Sequence, residues 1–465
     1  MSLSTDILYG TKTDVEVYLQ GGVDLNTIDE FGYTPLIEAA IMNKFDIAVL
    51  LIEHGADVNM PDVTGHTALH WAADYHNIPF CQYLLDHRAN PNAYTLGGDP
   101  VLTFPLLRDQ QDLKQLLYSY GANLPYAQDF VNTKLIGHRY QLIGGVDIVT
   151  PEGKFFEIDF EGFYIQFTIG IIKNSLERFI KNYAARKLRN YFPIIRKIIN
   201  NYTIATELIK FLQFNVDYKN YEAQITSLLN QEMSMIPMAH HGHAITFIHY
   251  KNLLVKCDRS LDNQNDGTVA IYEIGNLKAL TNKLKMELVF VKQTREFIHD
   301  GIKKLLDLKP LYVLPIPHQV TGNCSWANVE SCIPAMLYLY LQNASKLKSN
   351  ISQTHPEDTA LSFYDEWVEW DKDRALEECL LSFENANRVR KASKAAVLAA
   401  VLAQSCVYPV TRNLERAEKI LPILMIPEYQ YVLKSYIRVF YKENRHAVGK
   451  NLEKLLDDCG YAFPK

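Results

Sequence analysis

Residues 34–40 read Thr-Pro-Leu-Ile-Glu-Ala-Ala, and residues 67–73 read Thr-Ala-Leu-His-Trp-Ala-Ala, 33 residues further along the chain. Three glycines, Gly32, Gly65 and Gly98, keep the same interval. Each copy opens with a threonine that can cap a helix, and it continues with apolar and small residues that suit close helix stacking. A fixed interval of this length indicates a stack of helical repeats. The first part of the chain is therefore predicted to be an α-helical solenoid.

Residues 51–59 read Leu-Ile-Glu-His-Gly-Ala-Asp-Val-Asn, a helix end followed by a turn into the next hairpin. With this segment the pattern resembles the ankyrin family. The resemblance covers two good repeats over residues 28–95. Degenerate repeats at about 5–27 and 98–124 would be the caps that such stacks require. We therefore assign residues 1–125 to an ankyrin solenoid of about four repeats, a surface that grips another protein.

After Pro125 the repeat interval ends, and the pattern becomes that of a mixed α+β domain. Short alternating apolar runs predict strands, and apolar residues at helical spacing predict helices. The predicted strand-rich segments are 135–170, 243–275 and Leu311 to Ile316, and the predicted helical segments are 171–233, 276–308 and the chain from about 325. The sequence thus predicts an α+β multidomain chain with an ankyrin solenoid at 1–125, an α+β domain at 126–340 and a helical C-terminal region at 341–465.

Composition narrows the class of protein. The net charge of -6 argues against nucleic acid as the main direct ligand, but Lys and Arg are spread throughout the chain, so a local basic face stays open. Seven cysteines without CxxC spacing favour free thiols in a reducing compartment, and no cofactor or metal is expected. The first ten residues do not form a cleavable signal peptide, and no run of about 20 apolar residues predicts a membrane span.

A predicted hairpin brings a histidine and an aspartate together. His243 begins one strand, Asp258 ends the next, and a two-residue turn near Lys251 and Asn252 would pair the strands antiparallel. His243 and Asp258 would then face one another at the open end of the hairpin. A carboxylate in this place can fix the imidazole tautomer and stabilise the imidazolium.

A cysteine follows in a context that suits a nucleophile. The segment Gln-Val-Thr-Gly-Asn-Cys-Ser-Trp, residues 319–326, delivers Cys324 to the start of a predicted helix, Ser325 to Leu341. Helix starts favour the thiolate. Cys324 would attack a carbonyl carbon, and His243 would accept the thiol proton. Gln319 and the backbone N–H of Cys324 would stabilise the oxyanion.

The chain order His243, Asp258, Gln319, Cys324 resembles the cysteine peptidase clan that includes ubiquitin-like-protein proteases, adenovirus protease and bacterial effector acetyltransferases. The resemblance covers about 240–335. It implies an α+β cysteine protease domain, papain-like in the broad sense, with Cys324, His243, Asp258 and Gln319 as catalytic residues. Members often carry an aromatic residue after the histidine, and this sequence has Ala244 there.

Other interpretations of these residues remain open. Asp262 and Asp266 are alternatives to Asp258, which can instead be a turn residue. His240 and His241 could share a metal with His243, although no carboxylate or cysteine lies at ligand spacing. The strict papain-family order would need a histidine after Cys324, and the later ones are His355 and His446.

The two parts together resemble ankyrin-repeat bacterial effectors that carry a cysteine-protease-like domain. This resemblance implies type IV secretion, residence in the host cytosol or nucleus, and a host protein as partner. The activity would be that of a thiol hydrolase acting on a peptide or isopeptide bond. Two alternatives are a non-catalytic scaffold that remodels a host complex and, less favoured, an effector acetyltransferase.

Two sets of residues in the repeats are candidates for recognition. Aromatic and histidine side chains at the hairpin tips and inner helices would hold the host protein, or else pack between repeats: Tyr33, His66, Trp71, Tyr75 and Tyr94. Asn59 and Asn92 occupy the hairpin position that host asparaginyl hydroxylase often modifies in ankyrin proteins. Each has a leucine eight residues upstream, as this resemblance asks.

Overall fold

A computed structural model describes residues 3–212, 216–240, 242–261, 266–320, 322–347, 355–439 and 447–462. The chain divides into two compact units. The first comprises residues 1–133 and 145–159, and the second comprises residues 134–144 and 160–465. These units differ from the three domains proposed from the sequence, whose independence stays a prediction. No helix in the described ranges is long and apolar enough to cross a membrane.

The first unit is a stack of helix pairs closed by a β-hairpin. Its helices are α1 (Leu3–Tyr9), α2 (Lys12–Gln20), α3 (Pro35–Ile41), α4 (Phe45–Glu53), α5 (Ala68–Asp74), α6 (Ile78–Asp86), α7 (Thr103–Leu107), α8 (Gln111–Ser119) and the first part of α9 (Leu124–Tyr140). The hairpin consists of β1 (Gly145–Val149) and β2 (Phe155–Asp159), which pair antiparallel.

Local chemistry explains the repeat geometry. The hydroxyl of Thr34 accepts a hydrogen bond from the Ile37 N–H at 3.2 Å, and Pro35 occupies the first helical position, where no donor is needed. Small buried residues of α3 and α5, such as Ala39 and Ala72, let the helices approach closely. The apolar faces of successive pairs therefore form one continuous core.

Asparagine side chains join successive repeats. Asn59 Oδ1 accepts from the Asn90 N–H at 2.7 Å, and its Nδ2 donates to the carbonyl of Arg88 at 3.0 Å. One repeat later, Asn92 makes the equivalent bonds to Asn123 and Gly121, at 2.6 and 2.9 Å. The sequence interval of 33 residues thus corresponds to a ladder of side-chain bonds from one hairpin to the next.

The second unit is built around a five-stranded antiparallel sheet with the strand order β3-β4-β5-β6-β7. The strands are β3 (Met233–His240), β4 (His243–Tyr250), β5 (Leu253–Cys257), β6 (Val269–Ile274) and β7 (Leu308–Leu314). Tyr250 pairs with Leu253, so the predicted turn at Lys251 and Asn252 is present. Each strand follows its neighbour in the chain, which places the ends of β4 and β5 side by side.

Helices pack against this sheet and against one another. The α-helices are α10 (Ile165–Lys181), α11 (Phe192–Ile209), α12 (Glu222–Leu229), α13 (Asn282–Phe290), α14 (Ile302–Leu306), α15 (Cys324–Glu330), α16 (Cys332–Leu347), α17 (Pro356–Glu384), α18 (Arg388–Ser405), α19 (Thr411–Leu424), α20 (Gln430–Ile437) and α21 (Ala447–Asp458). Short 3-10 helices span Tyr183–Tyr191, Lys210–Leu212, Tyr218–Tyr221 and Leu277–Ala279, and a π-helical turn spans Phe297–Gly301. Helices up to α17 cover both faces of this sheet, and α18 to α21 pack beyond α17.

Side chains alternate between two apolar cores, as the two-residue period of a strand requires. Ile248 and Tyr250 of β4 pack on the side of α10, α11, α16 and α17. Ile245 and Phe247 pack on the side of α12, α13 and α14. The sheet is therefore buried on both faces, and its strands are nearly continuous apolar runs.

Three local predictions need correction. The strand-rich segment 135–170 contains only the β1–β2 hairpin, because residues 135–140 continue α9 and residues from 165 onward form α10. Buried Ile136 and Tyr140, four residues apart, follow a helical period. Strand β3 lies outside the segments that were predicted to be strand-rich. The predicted single helix after Cys324 is two helices, α15 and α16.

Candidate thiol site at the end of the β4–β5 hairpin

The hairpin places the predicted histidine against the predicted aspartate. His243 Nε2 lies 2.9 Å from Asp258 Oδ1. The Asp258 side chain has no exposed surface, whereas 23% of the His243 side chain is exposed. Because Asp258 occupies Nε2, Nδ1 is the imidazole nitrogen that remains for another partner.

Cys324 lies against the first residues of β4. Its Sγ accepts a hydrogen bond from the Ala244 N–H at 3.4 Å and lies 3.8 Å from the carbonyl oxygen of Gly242. A side-chain hydrogen bond also joins Cys324 to His243. In space His243 lies between Asp258 and Cys324. In the sequence, Asp258 follows His243 by 15 positions and Cys324 follows it by 81.

Electrostatic coupling within this group favours its charged forms. Burial lowers the pKa of His243, but the hydrogen bonds to Asp258 and Cys324 outweigh burial and raise this pKa to about 9. Burial raises the pKa of Cys324, yet the hydrogen bonds from His243 and from the Ala244 N–H lower it overall. Both shifts favour a thiolate beside an imidazolium, and the thiolate is the form in which cysteine is a nucleophile.

A buried amide, Asn328, connects the helix that carries Cys324 to the strand ends that carry His243 and Asp258. Asn328 lies on α15, four residues after Cys324, and none of its surface is exposed. Its Nδ2 donates to the Ala244 carbonyl at 2.6 Å, directly after His243. Its Oδ1 accepts from the Arg259 N–H at 2.7 Å, directly after Asp258. The amide therefore sets the spacing between the nucleophile helix and both strand ends.

The loop that carries Gln319 is attached to the same strand end. The Gln319 N–H donates to the Arg259 carbonyl at 2.9 Å, and Arg259 Nε donates to the Pro317 carbonyl at 2.8 Å. The Gln319 side chain is buried, and its Oε1 has no hydrogen-bond partner among the described residues. The backbone thus holds Gln319 beside the residue that follows Asp258. Its part in an oxyanion hole stays a prediction.

A buried lysine lies behind the aspartate. Lys256 Nζ is 3.6 Å from Asp258 Oδ2, 3.1 Å from Asp266 Oδ2 and 2.8 Å from His299 Nδ1. Burial raises the pKa of Asp258, but the hydrogen bond with His243 and the charges of His243 and Lys256 hold that pKa below its usual range. Lys256 thus adds to the interactions with His243 that keep the carboxylate ionised.

A second histidine fixes the turn before the nucleophile. His138 Nδ1 and the Oδ1 of Asn323 form a short hydrogen bond, and Asn323 Nδ2 donates back to the His138 carbonyl at 3.3 Å. The His138 ring stacks on Trp326 at 6.0 Å between centroids. Burial lowers the pKa of His138 to about 4, so this ring is neutral. His138 thus contacts Asn323, directly before Cys324, and Trp326, two residues after it.

Few of the alternative site residues fall within the described part of the chain. Asp266 bonds Lys256 and Lys303, and Asp262 is outside the described residues. His355 precedes α17, whereas His241 and His446 and the side chain of His240 are not described. Within the part of the chain that the structure describes, no group of three His, Cys, Asp or Glu residues could hold a metal.

The five candidate recognition residues of the repeats are all half-buried. His66 contacts Trp71 at 5.6 Å between ring centroids, and Tyr94 lies between Tyr126 and Phe156 at 5.7 and 5.5 Å. Tyr33 and Trp71 pack against the repeat core, and Tyr75 caps the end of α5. Three other apolar side chains, at the hairpin tips, are more exposed than these five and were not predicted from the sequence: Phe31, Val63 and Leu96.

Fold and site together define an ankyrin-repeat protein whose second unit carries a cysteine, a histidine and an aspartate in contact. The ankyrin-repeat family profile matches residues 6–95 in three copies, which confirms the repeats. The solved structure of the Legionella effector AnkH is 44% identical over 99% of this chain and 98% of that chain, with a TM-score of 0.86. A search of curated proteins finds no match. The chain belongs to the AnkH family.

The bridging role of Asn328 predicts a specific effect of removing its amide. In Asn328→Leu, the Ala244 carbonyl and the Arg259 N–H lose their partners, at about 1–3 kcal/mol for each buried group. We expect the two strand ends to separate from α15 and iodoacetamide to modify Cys324 at least about tenfold more slowly. Mass spectrometry of the labelled peptide measures this rate.

Asn201→Leu is the matched control. Asn201 is also a buried amide of the second unit, but it bonds Tyr340 and Met336 rather than the site. Equal rates of Cys324 labelling in the two variants would contradict a specific role for Asn328.

Proposed function

We propose that this protein is a bacterial effector that holds a host protein with its ankyrin repeats and hydrolyses a peptide or isopeptide bond in it through Cys324. The contact of His243 with both Asp258 and Cys324 carries the proposal. A related protein of nearly the same length is described as a Legionella effector, which supports the effector part. Delivery would be by type IV secretion, and the protein would act in the host cytosol or nucleus.

The proposed reaction uses the ion pair directly. The Cys324 thiolate attacks the carbonyl carbon, and the His243 imidazolium then gives its proton to the departing amine, so that a thioester remains. His243, now neutral, takes a proton from water, and the resulting hydroxide releases the acid and the free thiol. Asp258 holds the imidazole orientation throughout. Gln319 and the backbone N–H of Cys324 are the proposed oxyanion donors.

The strand–strand–loop–helix arrangement supports assigning the sheet and α15 to a cysteine-protease-like domain. His243 begins β4, Asp258 follows β5, and a loop carrying Gln319 precedes the helix of Cys324. These are the chain positions that the resemblance to the peptidase clan implies.

A non-catalytic scaffold is the second candidate function. In that case the thiol site would be a remnant, and the repeats would remodel a host complex through Tyr33, His66, Trp71, Tyr75 and Tyr94. The exposed tips Phe31, Val63 and Leu96 favour protein binding by this surface in either case. Acetyl transfer is the third candidate, and covalent labelling of Cys324 by acetyl-coenzyme A would favour it over hydrolysis.

The pKa shifts predict how alkylation of Cys324 depends on pH. Because the pKa of Cys324 is lowered, iodoacetamide should modify it faster at pH 6 than the buried thiols Cys81 and Cys406, whose pKa values burial raises to about 12. In His243→Ala the thiolate loses its main stabilising partner. The pH midpoint should therefore rise, and the rate at pH 6 should fall roughly tenfold for each unit of pKa.

Asp258→Asn provides an intermediate case, because it keeps a hydrogen-bonding group but removes the charge that holds the imidazolium. Its midpoint should lie between those of wild type and His243→Ala. If Cys324 reacts no faster at pH 6 in the wild type than in His243→Ala, the hydrolase proposal is wrong. The scaffold function would then be favoured.

We also propose that Asn59 and Asn92 are substrates of a host asparaginyl hydroxylase. Asn59 is exposed and Asn92 is half-buried, and both lie at hairpin ends, where an enzyme can reach them. Each side chain also hydrogen-bonds to the backbone of the next hairpin, so these hydrogen bonds must open locally before the asparagine can be modified.

Protein purified from human cells should therefore carry added oxygen at Asn59 or Asn92, and peptide mass spectrometry locates it. Asn26, which accepts from the Asp57 N–H at 2.7 Å in the degenerate first repeat, is the internal control and should stay unmodified. Unmodified peptides at both sites in cells that express the hydroxylase would contradict the proposal.

A further inference from the structure

Positive charge is concentrated in one segment of an otherwise acidic chain. Between Glu177 and Glu207 there is no Asp or Glu, but there are seven cations: Arg178, Lys181, Arg186, Lys187, Arg189, Arg196 and Lys197. The whole chain has 47 Lys and Arg residues against 53 Asp and Glu residues. This segment therefore differs in charge from its surroundings. We call these seven residues the basic patch.

Packing directs the patch outward. In the 3-10 helix Tyr183–Tyr191, side chains three positions apart share a face. Ala185 is fully buried, and Leu188 and Tyr191 pack against the core next to α10 and α11. Arg186, Lys187 and Arg189 occupy the remaining positions and are exposed.

The neighbouring helices extend the same surface. Arg178 and Lys181 lie in the last turn of α10, and Arg196 and Lys197 lie in the first turns of α11. All four are exposed, and both helices contact the 3-10 helix that joins them. The seven cations therefore gather at one end of the α10–α11 pair.

None of the seven cations forms an ion pair with a residue that the structure describes. Their recorded ring contacts are with aromatic side chains: Arg186 lies over Tyr183 at 4.0 Å, and Lys197 lies over Tyr340 at 5.3 Å. A surface of this charge attracts a polyanion and exchanges its counterions for it.

From these observations we infer that the basic patch binds single-stranded nucleic acid. Its cations would contact successive phosphates, and Tyr183, whose exposed fraction is 74%, would stack on a base. The guanidinium of Arg186 already lies on the Tyr183 ring, which is the cation–aromatic pair that such surfaces use.

The apolar content of the patch favours nucleic acid over a lipid surface. Tyr183 is the one large hydrophobic side chain exposed between residues 178 and 206, a stretch that lies wholly within the described residues. Interfacial membrane binding needs a broad apolar face that enters the lipid layer. A stacking platform needs a single accessible ring.

This inference revises the expectation drawn from net charge. The net charge of -6 is a sum over the whole chain. Binding of a charged ligand depends on the electrostatic field of the charges within about 10 Å of it. The patch lies outside the thiol site, so the inference does not depend on the proposed hydrolase.

The test is fluorescence anisotropy of the full chain with a labelled oligouridylate of about 20 nucleotides, at salt from about 50 to 200 mM. The triple variant Arg186→Gln, Lys187→Gln, Arg189→Gln should bind at least about tenfold more weakly, with a shallower dependence on salt. Tyr183→Ala should weaken binding about five- to hundredfold and leave the salt dependence unchanged, because it removes stacking alone.

A matched control removes three exposed lysines elsewhere in the same unit: Lys278→Gln, Lys292→Gln and Lys304→Gln. Binding that survives in this control but is lost in the patch variants supports the inference. Absence of binding at the lowest salt, or equal loss in the two triple variants, would overturn it.

Vesicles containing phosphatidylserine and a polyglutamate peptide are tested in parallel. The inference is wrong if the protein binds the vesicles or the peptide at least as tightly as the oligonucleotide and if Tyr183→Ala does not weaken that binding. The ligand would then be a lipid surface or an acidic protein.

Discussion

The amide of Asn328 is the contact on which the geometry of the thiol site depends. A sheet and a helix that come from distant parts of the sequence meet there, and no covalent link sets their distance. Asn328 satisfies one backbone carbonyl after His243 and one backbone N–H after Asp258, both away from water. Buried polar groups that lack partners are costly, so the three elements are held in one arrangement.

Charge is buried around this amide, and each buried charge has a partner. Asp258 lies between His243 and Lys256, and Lys256 also meets Asp266. Behind α15, Arg259 pairs with Glu330 at 3.3 Å, and Glu330 accepts from Trp326 Nε1 at 3.1 Å. Removing one member of such a pair is strongly destabilising. These contacts keep the strand end and the nucleophile helix rigid while His243 stays partly open to solvent.

The repeats could be predicted from the sequence because a fixed interval repeats the same cap, packing and turn chemistry. The contact of His243 with Asp258 could also be predicted, since one tight turn sets the register of β4 and β5. Asn328 carries no such signal, because its partners are backbone groups of distant strand ends, and the pairing of Lys256 with Asp266 and His299 depends on packing that no local pattern shows. Residues 135–140 were misassigned because glycines beyond them indicated turns, while the helical period continued from α9.

The central claim is that the His243 imidazole is held as a cation between Asp258 and Cys324. Its most direct test is a pH titration of the histidine ring signals by NMR, with the His243 signal assigned from His243→Gln. The account predicts that His243 stays protonated above neutral pH and titrates at about 9, and that this pKa falls in Cys324→Ala. A His243 that titrates near the ordinary value of 6.5 and does not respond to loss of the thiol would contradict the account.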